Sequence, residues 1–153
     1  TGIMYNHESQ RRGNQFVTKK IISSAVKIKM KLQKELYLGN LDVKRDWGYA
    51  PDYVTAMWLI LQQEKSDDFI IATGKLHSVR DFLEIVFTYL ELDYKDYVKV
   101  DPKFFRASEK KPLCGNPEKI KKIIGWENTK SLEKVIKEML DFELAKYDKV
   151  KSN

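Results

Sequence analysis

One cysteine and two histidines occur in 153 residues. Cys114 alone cannot close an internal disulfide, and two histidines leave little scope for a metal site. Both scarcities fit a reducing cytosol. No apolar run reaches the roughly 18 residues that a membrane-spanning helix needs. The nearest candidate, Ala56 to Leu61, is far too short. No signal-peptide pattern is legible. An RNP-like aromatic run, zinc-finger spacing and a GXXG loop are also missing. The net charge of +6, from 28 basic and 22 acidic side chains, is therefore not read as a nucleic-acid footprint. It is assigned to solvated helix faces, because Lys27, Lys29, Lys31 and Lys34 alternate with apolar residues. Lys119, Lys121 and Lys122 do the same. A further absence concerns glycine: the seven, at 2, 13, 39, 48, 74, 115 and 125, form no G-x-x-G-x-x-G phosphate turn.

What is present is an ordinary globular composition, 42% apolar and 33% charged, enough for one domain with a core. Periodicity predicts a helix from about Phe16 to Leu32 and a strand over Glu35 to Leu38. Gly39 to Asp42 is a turn and Arg45 to Gly48 is extended. Pro51 suits the first position of a helix reaching about Gln63. Phe69 to Thr73 reads as a buried strand stopped by Gly74. Ser78 with Asp81 resembles a capping box opening a helix to about Leu92. Tyr97 to Val100 is a strand, and Asp101 to Gly115 a long loop. Asn116-Pro117 starts a short helix ending at Gly125, and Ser131 caps a last helix to about Tyr147. Strands interleaved with helices give the α/β class. Only three or four short strands are read, so the chain looks like the smaller half of a larger α/β protein.

Three loops carry arginine. Tyr5 to Gly13 contains Asn6, His7, Glu8, Arg11 and Arg12. Lys44 to Gly48 contains Arg45, Asp46 and Trp47. Phe104 to Glu109 contains Arg106. The planar guanidinium fork suits phosphate oxygens, so the three together suggest one anionic, phosphate-bearing ligand. Each loop also has a plainer reading. Asn6, His7 and Arg12 sit either in a ligand loop leaving a strand end or in a structural turn. Lys20 either reaches a phosphate or is a solvated lysine beside Lys19. Arg45 either bridges a diphosphate or pairs with Asp46 beside a core Trp47. Arg106 and Glu109 lie either on a functional loop or among ordinary loop charges. His77 is expected to cap or pack beside Ser78. Cys114 is expected to be a small buried residue. Met57, Trp58, Trp126 and Met139 fall at helical core spacing. Tyr147 and Lys151 spell Tyr-x-x-x-Lys by letter, in a tail expected to fray.

Taken together, Asn6 to Gly13, Phe16 to Ile21, Leu38 to Gly48, Asp52 to Trp58, Asp67 to Phe82, Asp101 to Glu109 and Gly115 to Trp126 resemble the GDP-mannose 4,6-dehydratases. These are extended short-chain dehydrogenase/reductases. The shared runs are Asn-His-Glu-Ser at 6–9 and Asn-Leu-Asp with Lys-Arg-Asp-Trp-Gly at 40–48. Gln10 and Ala107 stand where the family has proline, and Lys110-Lys111-Pro112 replaces a more acidic and apolar run.

The resemblance implies the C-terminal, substrate-binding portion of an extended Rossmann-type NAD(P)-binding dehydratase. Residues 1–148 would form that portion, with the last Rossmann elements, and 149–153 a frayed tail. The N-terminal NADP-binding half would be absent. The implied reaction converts GDP-D-mannose to GDP-4-dehydro-6-deoxy-D-mannose with a recycled NADP, a step toward GDP-fucose or another deoxyhexose. His7 and Arg12 match positions that contact NADP. Asn6, Val17, Lys20, Gly39, Arg45, Arg106 and Glu109 match positions around GDP and its sugar. Catalytic residues would lie outside this stretch, leaving it inactive alone, and the intact protein would be a homo-dimer or homo-tetramer. The alternatives are a dehydratase of another GDP-sugar, such as a GDP-manno-heptose, and a non-catalytic GDP-sugar-binding module.

Overall fold

The computed structural model describes residues 1–105 and 112–151. Its strands are short and meet in four two-stranded ladders. β1 (Gly2–Met4) runs parallel to β6 (Phe69–Ile71), with Gly2 opposite Phe69. β2 (Asn6–Glu8) runs parallel to β5 (Trp47–Tyr49), with Glu8 opposite Tyr49. β3 (Leu36–Leu38) runs parallel to β8 (Val98–Val100). β4 (Lys44–Arg45) is antiparallel to β7 (His77–Ser78). Parallel pairing demands long crossovers, and the helices supply them. In order these are α1 (Val17–Lys29), α2 (Ala50–Leu61), α3 (Val79–Tyr89), α4 (Tyr94–Tyr97), α5 (Glu118–Ile124) and α6 (Leu132–Lys151). A 3-10 turn spans Pro102–Phe104. The expected α/β class is the one observed.

Local chemistry explains most helix ends. Asp81 N donates to Ser78 Oγ at 3.0 Å and Ser78 N donates to Asp81 Oδ2 at 2.8 Å, closing the capping box of α3. Pro51 occupies the first turn of α2. Asn116 Oδ1 accepts from Glu118 N ahead of α5, and Gly125 ends that helix at φ 73°, where only glycine is at ease.

Several expectations need correction. Asn6 to Glu8 is a strand, not a loop, and β7 was not foreseen at all. Strands of two or three residues are too short for alternation to register. The connection after Leu92 holds α4, capped by Asp93 through Lys95 N. α6 continues to Lys151, past the expected end near Tyr147. Cys114 is exposed rather than buried. Met57 and Trp58 lie on an exposed face of α2, whereas Met139 is buried on α6 as its spacing suggested; Trp126 is buried too, but in the segment after α5 and outside any helix. Among the described residues no helix is long and apolar enough to cross a membrane.

Two apolar clusters form the core. The larger joins α1, α3 and α6 through Ile22, Val26, Phe82, Phe87, Ile136 and Met139. The smaller gathers Tyr53, Ala56, Phe69, Ile71, Ile120 and Trp126. Trp47 joins the larger cluster, meeting the Phe82 ring edge-on at 5.5 Å. A buried ion pair fastens α1 to α6: Lys19 Nζ lies 2.8 Å from Glu143 Oε2. That pair sits one residue from Lys20, on the helix whose first turn faces the site.

Candidate functional site

A cleft of about 700 Å³ opens where β2, the first turn of α1, the end of β3 and the 3-10 turn converge. Asn6, Arg12, Val17, Lys20, Gly39 and Arg45 all line it. Six of the nine expected site residues, drawn from two stretches of chain, 6–20 and 39–45, thus share one cavity wall. Arg106 and Glu109 lie outside the described residues.

The ninth, His7, is the exception. Side chains on a strand alternate faces. On β2, Asn6 and Glu8 face the cleft, and His7 is not among its lining residues. Its ring packs on Tyr53 with centroids 4.9 Å apart. Nδ1 lies 2.8 Å from the Tyr5 carbonyl oxygen, which can only accept, so Nδ1 is the donor of that contact. The strand that went unread in the sequence is what separates His7 from Asn6.

The cationic groups have defined seats. Arg12 Nε lies 3.2 Å from Glu8 Oε2, and its guanidinium sits 3.6 Å over the Phe16 ring. Lys20 Nζ donates to the Tyr37 carbonyl at 2.7 Å and lies 4.5 Å from the Phe104 ring centroid. It is not one of two solvated neighbours, because Lys19 is buried against Glu143. Arg45 Nη1 donates to the Lys44 carbonyl at 2.9 Å, and Arg45 stands opposite His77 across β4 and β7. His77 is therefore a strand residue beside the cap rather than the cap itself. Gly39 lets the opposite wall approach: a Cβ there would meet the Phe104 carbonyl oxygen at 2.5 Å.

The proposed Arg45–Asp46 pairing is not what holds Asp46. Its carboxylate is fully buried and faces away, toward a different partner set. Thr73 N and Oγ1 donate to Oδ1 at 2.9 and 2.6 Å, and Gly74 N donates to Oδ2 at 3.0 Å. Gly115 N adds a contact at 3.3 Å. Trp47 is buried, as that plainer reading supposed, yet it also lines the cleft.

Four of the lining residues that sequence reasoning did not assign to the site bear on its chemistry. Lys103, Phe104 and Phe105 line the cleft from the 3-10 turn, and both phenyl rings are about half exposed, at 50% and 52%. Their signal was Asp101, whose Oδ1 accepts from Lys103 N and fixes the turn. Glu8 is the fourth, and its signal was its place two residues from Asn6. It is wholly buried, Thr18 Oγ1 donates to Oε2 at 2.6 Å, and burial pushes its carboxyl up to about 7. Thr18 and Arg12 oppose that rise. The cleft therefore offers four cations, Arg12, Lys20, Arg45 and Lys103, exposed aromatic surface, and one buried acid. That suits a nucleotide phosphate, with rings available for a base.

Known proteins point the same way. The model of the family described as GDP-mannose 4,6 dehydratase matches residues 1–139. GDP-mannose 4,6 dehydratase 2 of Arabidopsis thaliana is 51% identical over 151 residues, covering 97% of this chain and 40% of that protein. The Homo sapiens GDP-mannose 4,6 dehydratase is 41% identical over 162 residues, covering 94% and 44%. Among solved structures, RMD from Pseudomonas aeruginosa complexed with NADPH superimposes with a TM-score of 0.86 at 18% identity, covering 95% of this chain and 48% of that one. The dTDP-glucose 4,6-dehydratase of Bacillus anthracis in complex with NAD gives 0.79 at 18%, covering 97% and 44%. At such identities the structures speak for the fold alone. The chain spans less than half the length of each of these relatives.

Proposed function

From the chain's membership of the GDP-mannose 4,6-dehydratase family, we propose that it is the C-terminal, substrate-binding portion of a dehydratase acting on GDP-D-mannose. The single observation that carries this is the cleft, which gathers Asn6, Arg12, Val17, Lys20, Gly39 and Arg45. Lys20, Arg45 and Lys103 neutralise the diphosphate. Phe104 and Phe105 offer their exposed faces to the base. Gly39 keeps the two walls close enough for both to act on one ligand.

The residues present fit one edge of a dinucleotide rather than the whole. His7 offers its second ring nitrogen, and Arg12 a guanidinium, but no glycine-rich phosphate turn occurs in the chain. NADP is the cofactor of this reading, with His7 and Arg12 as its contacts. When bound, it supplies hydride acceptance from the sugar and hydride return after water is lost. The role of this portion is to bind and orient the nucleotide-sugar, and the proton transfers belong to residues beyond it. Alone it binds without turnover. The product is GDP-4-dehydro-6-deoxy-D-mannose. The exposed thiol of Cys114 fits a reducing cytosol, and assembly as a dimer or tetramer rests on family likeness alone.

Arg45→Ala in the full-length protein tests the reading. GDP affinity, measured by titration calorimetry, should weaken by about 1.5–3 kcal/mol, the scale of a charge-assisted hydrogen bond. An unchanged dissociation constant removes Arg45 from the site.

A further inference from the structure

Glu8 is a costly residue to place where it is. Its side chain is fully buried, and among the described residues Oε1 has no hydrogen-bond partner. Oε2 takes the Thr18 hydroxyl at 2.6 Å. Arg12 Nε lies 3.2 Å away, yet its geometry is that of a charge contact and not of a hydrogen bond. A buried carboxylate held this loosely carries a desolvation penalty that its partners do not offset. It lines the same cleft as Arg12. Nothing in the binding role proposed above uses it.

We propose that Glu8 is a positioning residue for the anion site: its carboxyl holds Arg12 from beneath, and takes up one proton from solvent when Arg12 engages a nucleotide phosphate. This rests on the functional reading above. The reason is electrostatic. Ionised Glu8 offsets the Arg12 charge in the empty cleft. An arriving phosphate competes for that guanidinium and is repelled by the ionised carboxylate. Protonation removes the repulsion and leaves the full Arg12 charge to the phosphate.

The surroundings permit such a proton. Thr18 from α1 donates to Glu8, and Arg12 from the preceding loop attracts it. Across the strand pair stands Tyr49, whose ring is covered by Lys130. Tyr53 from α2 feels the Glu8 charge, and its hydroxyl stays protonated because burial raises it most of all. The nearby Lys19 is engaged with Glu143 and Gln10. Arg12 is thus the one cation in contact with Glu8 among the described residues. Burial holds the Glu8 proton near neutrality, where a ligand can tip it.

The test is a pH series of dissociation constants for GDP and, separately, for NADP, on full-length wild type and Glu8→Gln. Each ligand's own phosphate titration is common to both proteins and cancels in their ratio. Expected is a wild-type disadvantage that grows about tenfold between about pH 6 and about pH 8, the scale of one partly screened charge contact. The nucleotide that shows it is the one whose phosphate meets Arg12. Thr18→Val should move the midpoint of the wild-type profile to higher pH, since it removes a bond that favours the ionised carboxylate. If Glu8→Gln does not fold, an unmoved midpoint in Thr18→Val overturns the proposal. Binding with a flat ratio for both nucleotides overturns it and leaves the functional reading standing. No saturable binding of either nucleotide at any pH overturns both.

Discussion

Glu8 and Asp46 are equally hidden from solvent, each at 0% exposure. Their surroundings differ completely. Both Asp46 oxygens are answered, by Thr73, Gly74 and Gly115. Glu8 has one oxygen answered by a hydroxyl and the other by nothing among the described residues. Asp46 ties the start of β5 to the turn after β6 and to Gly115, so three distant segments meet on one carboxylate. Glu8 sits on the wall of a cleft. Saturating a buried acid makes a rigid joint, and leaving one half-satisfied keeps a charge adjustable.

The largest expected effect breaks the joint. Asp46→Ala strands the Thr73 and Gly74 amides and the Thr73 hydroxyl in the interior. The loss should be about 3–5 kcal/mol, the scale of breaking a buried polar network. Urea denaturation measures it, and a loss below about 1 kcal/mol would show that those segments are held by something else.

Next comes the adjustable acid. Its ordinary carboxyl value is 4.5 and its folded value about 7. Between those values the folded chain keeps a proton that the unfolded chain has released. The stabilising effect is full below about pH 4.5 and is lost as pH rises through about 7, by an amount on the order of 3 kcal/mol. Glu8→Gln carries no such dependence. Its stability relative to wild type should therefore climb across that window and then level off. A constant difference between the two proteins from about pH 4.5 to about pH 8 contradicts the raised value.

The contrast also marks what could be read in advance. Ser78 with Asp81, Pro51, Gly125 and the apolar run Phe69–Ile71 are local signals, and each became the element it announced. The cleft was legible through arginine, because family likeness supplied the register that spacing could not. What stayed hidden depends on pairing between distant segments. β2 exists because β5 lies beside it, and that pairing sends His7 to one side and Glu8 to the other. Asp46 looked like the partner of its neighbour Arg45. Its true partners are 27, 28 and 69 residues away. Cys114 looked small and apolar, and no local feature told that its segment runs along the surface.

A smaller effect should come from Gly39, on the cleft side alone. Gly39→Ala drives a Cβ into the Phe104 carbonyl, and backbone has to move. The 3-10 turn carries Lys103 and Phe104, and Phe104 is the ring beneath Lys20. Overpacking of this kind costs about 1–3 kcal/mol. Because the turn bears a cleft wall, GDP affinity should fall as well, by about tenfold on the same scale. The Asp46 joint lies elsewhere, so the losses from Gly39→Ala and Asp46→Ala should add within about 0.5 kcal/mol. Strong coupling between them would mean that joint and cleft are one unit.

The smallest effect is expected at Trp58, and it extends the comparison from acids to indoles. Trp126 is buried and donates from Nε1 to the Asp52 carbonyl at 2.8 Å. Trp58 is 60% exposed, on the same side of α2 as Val54 at 61% and Leu61 at 80%. The opposite side of that helix carries the buried Asp52, Tyr53 and Ala56. A helix that is apolar all round signals burial on every side. Here one side has its cover and the other has none among the described residues. Trp58→Gln should therefore change the stability of this chain by no more than about 0.5 kcal/mol, as surface changes do. A loss above about 2 kcal/mol would place that ring in contacts the exposure does not reveal. Periodicity counts which faces of a helix are apolar. It carries no information about what lies against each face, so Trp58, at core spacing, could end on the open side of α2, while Trp126 is buried from a segment outside any helix.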